Sequence, residues 1–270
     1  MKKPVVMAAL LTLVTATGAL AEHRLLVTSV PEKGQAEARL DVAYSKADGD
    51  DLKDEKSGAV ATVGYGVTDS LKLSASLPYT FVQHEDGVKK DGFGDITLGA
   101  RYALSKKVKL PFDAALGIDW KTTTAADGEE DMGSKKNNYA PYLAVSKNLH
   151  TVIPYVKYQP EFIAKKHEGQ TKHNLTLGAE IEFGHHYTLD VAAKFTANIH
   201  GMDDTFDKRV KSANDVEFEV APYIEVAKNL YILPKVAYKV IGDRSEYDGT
   251  PVFKNADEYS LALGVYYLFK

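Results

Sequence analysis

A hydrophobic period of two runs through most of this chain and restricts its fold more than any other feature. Over 95–104, Ile96, Leu98, Ala100, Tyr102 and Leu104 share one parity; Asp95, Thr97, Gly99, Arg101 and Ala103 share the other. Side chains on a strand alternate faces, so this segment is an apolar wall backed by small and charged groups. Over 187–199, Tyr187, Leu189, Val191, Ala193, Phe195, Ala197 and Ile199 oppose Asp190, Lys194 and Asn198. Over 214–227, Val216, Phe218, Val220, Ile224 and Val226 oppose Asp215, Glu217, Glu219 and Glu225. A helical period would scatter those apolar residues around the axis.

The pattern predicts about twelve strands, at 36–46, 58–67, 71–83, 94–104, 108–121, 137–147, 151–163, 173–183, 187–199, 214–227, 230–241 and 256–269. Their connections alternate in length. Thr68-Asp69-Ser70, Ser105-Lys106-Lys107, Asn148-Leu149-His150, Gly184-His185-His186 and Lys228-Asn229 are short and turn-like. The stretches 47–57, 122–136, 200–213 and 242–255 are long and polar. This is an up-and-down meander with turns at one end and loops at the other, as in outer-membrane barrels. A soluble barrel also alternates, with its apolar face inward.

Three features separate the two. Aromatics on the apolar parity fall into two bands: Tyr65, Tyr102, Phe183, Tyr187, Tyr267 and Phe269 near the short turns, and Tyr44, Tyr79, Phe81, Trp120, Tyr139, Tyr158, Phe162 and Tyr259 toward the long loops. Such bands suit two membrane interfaces. Tyr259 and Tyr267 lie eight residues apart, or roughly 20 Å along the membrane normal for a tilted strand. The opposite parity carries charges that a dry core would hold only at great desolvation cost and a hydrated lumen holds readily. The chain closes on an alternating segment with Tyr267 and Phe269 on the apolar parity, like the terminal signal of bacterial outer-membrane barrels; Lys270 departs from that pattern, since such signals more often end on the aromatic.

Composition narrows the class further. Outside the N-terminus no apolar run reaches the roughly 18 residues of a spanning helix. A formal charge of -4 gives no basic surface for nucleic acid. The absence of cysteine leaves no disulfide or thiolate metal site. Lys2 and Lys3, the apolar stretch 4–14 and Ala19-Leu20-Ala21 read as a secretory signal over 1–21. The expected organisation is then a short periplasmic segment over 22–35 and a barrel over 36–270.

Three segments carry a family resemblance: Glu32-Lys33-Gly34-Gln35-Ala36-Glu37; Tyr65-Gly66-Val67-Thr68-Asp69-Ser70-Leu71-Lys72-Leu73 with Leu77-Pro78-Tyr79; and Gly92-Phe93-Gly94-Asp95-Ile96-Thr97-Leu98-Gly99-Ala100-Arg101-Tyr102. Through them the sequence resembles the bacterial outer-membrane transporter-like barrels named for the MetA pathway of phenol degradation. The likeness is architectural over the mature chain and specific in its first third. It implies a channel or uptake role, with hydrophobic or aromatic compounds as solutes.

The candidate functional residues are the charges on the inward parity: Glu37, Arg39, Asp41, Lys72, Asp95, Arg101, Asp113, Asp119, Lys157, Glu180, Glu182, Asp190, Lys194, Glu217, Glu219, Lys235 and Lys239. Acids outnumber bases on that parity, which predicts mild cation preference in an open conduit. The alternative is a lumen packed shut by cross-strand ion pairs. Gly94, Gly99, Gly117, Gly178 and Gly264 share the inward parity and are read as room for neighbouring bulk or as aids to curvature. The histidines, His185-His186 included, form no metal site. The acidic runs 48–54 and 127–131 read as solvated loops. A surface Ser–His catalytic site, known on some barrels of this size, finds no partner serine for His173.

The expected molecule is all-β: a transmembrane up-and-down antiparallel barrel in the bacterial outer membrane, with both termini periplasmic. It passes small solutes, is not an enzyme and needs no cofactor. Its partners are outer-membrane lipid and lipopolysaccharide, the barrel-assembly machinery through the last strand, and the solutes. The other reading is a closed structural or surface-binding barrel whose extracellular loops contact partners.

Overall fold

In the computed structural model, the residues described are 27–49, 53–85, 88–125, 137–163, 170–184, 186–199, 201–203, 208–210, 213–245, 251–253 and 256–269. The expected signal at 1–21 lies outside them. Twelve barrel strands follow in order: β1 Ala36–Gly49, β2 Lys53–Thr68, β3 Leu71–Glu85, β4 in two segments (Val88–Phe93 and Thr97–Ala103), β5 Asp113–Lys121, β6 Asn138–Ser146, β7 Val152–Ile163, β8 Gln170–Glu182, β9 Tyr187–Ile199, β10 Ala213–Ala227, β11 Leu230–Ile241 and β12 Ala256–Phe269. Each pairs antiparallel with its neighbour in sequence, and β1 also pairs with β12, so the sheet closes. Two short hairpins, Gly201–Asp203 with Lys208–Val210 and Arg244–Ser245 with Pro251–Phe253, fall in the long connections. Among the described residues the only helix is the 3₁₀ turn Leu104–Lys106.

The apolar parity faces outward. Leu40, Val63, Leu73, Leu98, Leu116, Leu177, Phe218, Val236 and Leu263 are all exposed on the barrel surface. So are Tyr65, Tyr102, Tyr267 and Phe269 near the short turns and Tyr44, Phe81, Trp120, Tyr139, Tyr158 and Tyr259 toward the loops. Several rings pack on one another: Trp120 stacks on Tyr139 at 6.2 Å, and Tyr238 meets Tyr259 at 5.0 Å. Aromatic girdles of this kind mark the two interfaces of a bilayer.

The short turns use local chemistry to reverse the chain. His150 and Asn229 take positive φ (73° and 64°), and the His150 amide donates to Asn148 Oδ1 at 2.8 Å. The Asn229 amide donates to Glu225 Oε1 at 3.2 Å, which holds the last turn beside a register shift at Glu225/Ala227.

Three strand boundaries differ from the sequence reading. The stretch 47–57 is not one long loop: β1 and β2 stay paired out to Asp48 and Lys53, through Lys46 opposite Glu55. A membrane strand needs about 9–11 residues, so this hairpin rises beyond the bilayer, where alternating charge is stable and looks like a loop in sequence. The fifth strand starts at Asp113 rather than 108, because the chain turns through the 3₁₀ segment and then meets Pro111, which has no amide to donate. The fourth strand is interrupted over 94–96, between its two segments.

Candidate functional site

Inside the barrel, charged side chains lie along the wall, and glycine makes this possible. Arg101, Gly117 and Tyr142 are register partners across β4, β5 and β6. A Cβ on Gly117 would collide with Cζ, Oη and Cε1 of Tyr142. The ring therefore lies flat over the glycine and reaches Arg101, whose Nε donates to Tyr142 Oη at 2.9 Å. Tyr155 lies in the same way over Gly178 and donates to Asp190, two strands away, at 2.9 Å. Gly64 makes room for the ion pair of Glu37 with Lys72, and a Cβ there would sit 2.7 Å from Glu37 Cγ and 2.9 Å from Lys72 Cε. Ser74, Gly99 and Asp119 form a fourth such row, and Asp41, Gly264 and Leu233 a fifth. The reading of Gly99, Gly117, Gly178 and Gly264 as room for neighbours matches this geometry; Gly94 lies in the interruption of β4.

The candidate residues occupy different settings. Glu37 is buried and accepts Tyr266 Oη at 3.1 Å as well as Lys72. Arg39 and Asp41, two apart on one face, form a two-point pair at 2.6 and 2.8 Å. Lys235 meets Glu219 at 3.0 Å and Lys239 meets Glu258 at 3.5 Å. Glu217, Lys239 and Glu258 line a small cavity with Ala237 and Ser260. Asp119 accepts Gln159 Nε2 at 2.8 Å. Glu180 and Asp190 are buried, Glu182 is half-buried at the end of β8, and Asp113 is exposed at the start of β5. Lys157 and Lys194 are half-buried and face Thr176 from either side in register.

Asp95 differs from the rest. It is 1% exposed, sits in the interruption of β4 and accepts the Ala125 amide at 3.0 Å. Beside it, Ile96 N donates to Thr124 Oγ1 at 2.9 Å, and Thr122 N and Oγ1 both donate to Ile96 O at 2.9 Å. Asp95 thus pins the chain leaving β5, a role that strand parity does not convey.

The sequence reading missed the interior tyrosines. Tyr142, Tyr155, Tyr231 and Tyr266 are buried, and the last two pack with Leu233 and Leu268 against Tyr223. The signal was present: Tyr155 shares parity with Lys157, and Tyr231 with Lys235. A second omission is the segment before β1. Gly34 N and Gly66 N bond to Gly66 O and Gln35 O, and Lys33 N donates to Asp69 Oδ1. From that anchor the chain runs toward the next strands round the barrel. The Ser29 carbonyl accepts Arg101 Nη1 at 3.1 Å, and Thr28, 4% exposed, bonds to Ser146 at 2.8 Å. Residues 28–35 therefore run from the β2–β3 turn to β4 and β6, across the short-turn mouth.

The histidines that are described serve local contacts. His186 lies 3.4 Å from Glu225. His173 stacks on Tyr158 and shares a 2.6 Å hydrogen bond with its hydroxyl. No group of three or more metal-ligating side chains occurs among the described residues.

No family model and no curated protein matches this chain. Solved structures do. The COG4313 outer-membrane channel from Pseudomonas putida F1 superposes with a TM-score of 0.72 at 14% identity, covering 92% of this chain and 100% of that one. The NanC porin gives 0.52 at 13% identity (86% and 99%), and the KdgM porin 0.50 at 15% (85% and 98%). The closed twelve-strand sheet, its apolar exterior and its two aromatic girdles fit a lipid bilayer. The chain is an outer-membrane β-barrel. The similar structures are channels and porins, and the narrower likeness to the MetA group has no matching family model behind it.

Proposed function

We propose that the barrel is a passive channel for small solutes, conducted along its charged interior. The observation that carries this reading is the set of glycine rows. Tyr142 and Tyr155 lie flat along the wall over Gly117 and Gly178, and the Glu37–Lys72 pair spans Gly64. Ion pairs join strands one or two places apart, or residues of one strand. A wall built this way keeps bulky side chains off the barrel axis. Twelve strands give a bore between small filled barrels and open sixteen-strand porins. Aromatic compounds, the solutes implied by the resemblance to the MetA group, are the first to try. Lipopolysaccharide would surround the outer rim, and the alternating Ala256–Phe269 strand would be the element read by the barrel-assembly machinery.

One observation favours the other reading, a closed barrel: residues 28–35 cross the short-turn mouth. Reconstitution in planar bilayers separates the two. The channel reading predicts discrete conductance steps that scale with salt. Silent protein that still shows the heat-dependent gel shift of a folded barrel sinks it.

A further inference from the structure

The interior cations and acids are not matched evenly. Arg101 and Lys157 approach the Tyr142 ring, with the guanidinium carbon at 5.9 Å and Nζ at 4.5 Å from its centroid. Lys72, Lys235 and Lys239 each meet a carboxylate. Lys157 has none within ion-pair distance among the described residues, and the tyrosine ring is its partner. A ring face compensates an ammonium only partly. Around Lys157 stand the acid Asp119 and two further cations, Arg101 and Lys194.

The register sharpens this excess. Lys157 on β7 and Lys194 on β9 both oppose Thr176 on β8, so the two lysines stand one strand to either side of it, and the Lys157 ammonium leans toward Tyr142 on β6. Lys194 also opposes Glu217 on its other side; Lys157 opposes Ala144. Elsewhere Glu37 pairs with Lys72, Asp41 with Arg39 and Glu219 with Lys235, while Asp190 accepts a hydrogen bond from Tyr155. Counting charges along the sequence predicts cation preference. Pairing them leaves Lys157, among the described residues, without a carboxylate at ion-pair distance.

We propose that Lys157, with Arg101 and Lys194 around it, is a binding station for monovalent anions, small carboxylates above all, and makes the conduit anion-selective. This rests on the channel reading. A carboxylate would accept from Lys157 Nζ beside the Tyr142 ring, while the Asp119 carboxylate disfavours anions of higher charge.

The test uses the full-length folded protein in planar bilayers under a tenfold KCl gradient. The wild type is expected to prefer chloride over potassium by roughly threefold or more, and millimolar acetate is expected to lower the chloride current. Lys157→Gln should bring the ratio near unity and abolish the acetate effect, whereas Lys157→Arg should keep both. Lys106→Gln, in the exposed 3₁₀ turn, should change neither. A wild type that prefers potassium overturns the station while leaving the channel intact. So does a heat-modifiable Lys157→Gln barrel with unchanged selectivity and acetate response. Absence of any steps from folded protein overturns the channel reading and this one with it.

Discussion

Gly117→Ala adds one methyl group, yet it should strain the interior more than any loop change. The new Cβ would fall inside contact distance of three Tyr142 ring atoms. Backbone and ring cannot both stay. If the ring lifts, it gives up the Arg101 Nε–Oη bond of 2.9 Å, and a hydrogen bond to a charged group is worth about 1.5–3 kcal/mol. Overpacking adds about 1–3 kcal/mol. The expected loss is therefore about 2.5–6 kcal/mol. Urea unfolding in lipid vesicles would measure it through Trp120, the single tryptophan, which lies on β5 three residues from Gly117. Tyr142→Leu removes the colliding atoms, so Gly117→Ala should cost less in that background, with a coupling of about 1–3 kcal/mol. An unchanged midpoint for Gly117→Ala, or the same cost in both backgrounds, would refute the account of the glycine rows.

The other predictions are independent of that joint. Leu98→Arg places a charge on an outward residue that is 40% exposed, and should cost about 2–4 kcal/mol if it lies at mid-bilayer. Thr97→Arg on the interior should cost clearly less in the same urea titration, and equal losses would contradict the assigned faces. Deleting residues 22–30 removes the Thr28 and Ser29 contacts, so mean single-channel conductance should rise while the gel shift persists; unchanged conductance would show that the segment does not narrow the mouth. Asp95→Ala strips the buried acceptor from the Ala125 amide, for an expected loss of about 1–3 kcal/mol, and a neutral result would dismiss its anchoring role.

Parity made the barrel legible, because lipid outside and polar groups inside impose opposite demands on alternate residues. Leu98, Leu116 and Phe218 could be assigned outward from sequence for that reason alone. Parity gives the side of a residue but not its partner. Asp95 has the inward parity and is nevertheless a buried pin for the chain after β5, since the interruption of β4 arises from contacts between segments far apart in sequence. The β1–β2 extension looked like a loop because beyond the bilayer both faces are wet and alternation loses its hydrophobic component. Tyr142 and Tyr155 escaped notice because tyrosine suits both the interface and the interior, and only the register with Gly117 and Gly178 distinguishes them. The spare charge at Lys157 likewise follows from pairing, which composition does not encode.

The seam between the first and last strands has a consequence in time. All 14 residues of β1 find partners on β12, from Ala36 opposite Phe269 to Gly49 opposite Ala256. This contact is the most distant in sequence, so it is expected to form late. Until the final segment has been delivered, β1 and β11 each present a bare edge, which in a membrane is an unsatisfied row of amides and carbonyls. Completion of the wall is thus tied to the arrival of β12. A chain stopped before Ala256 would lack a closing partner altogether, whereas one that carries β12 meets itself along an unbroken zipper. If the proposed channel carries a solute, this seam offers it no sideways exit into the lipid.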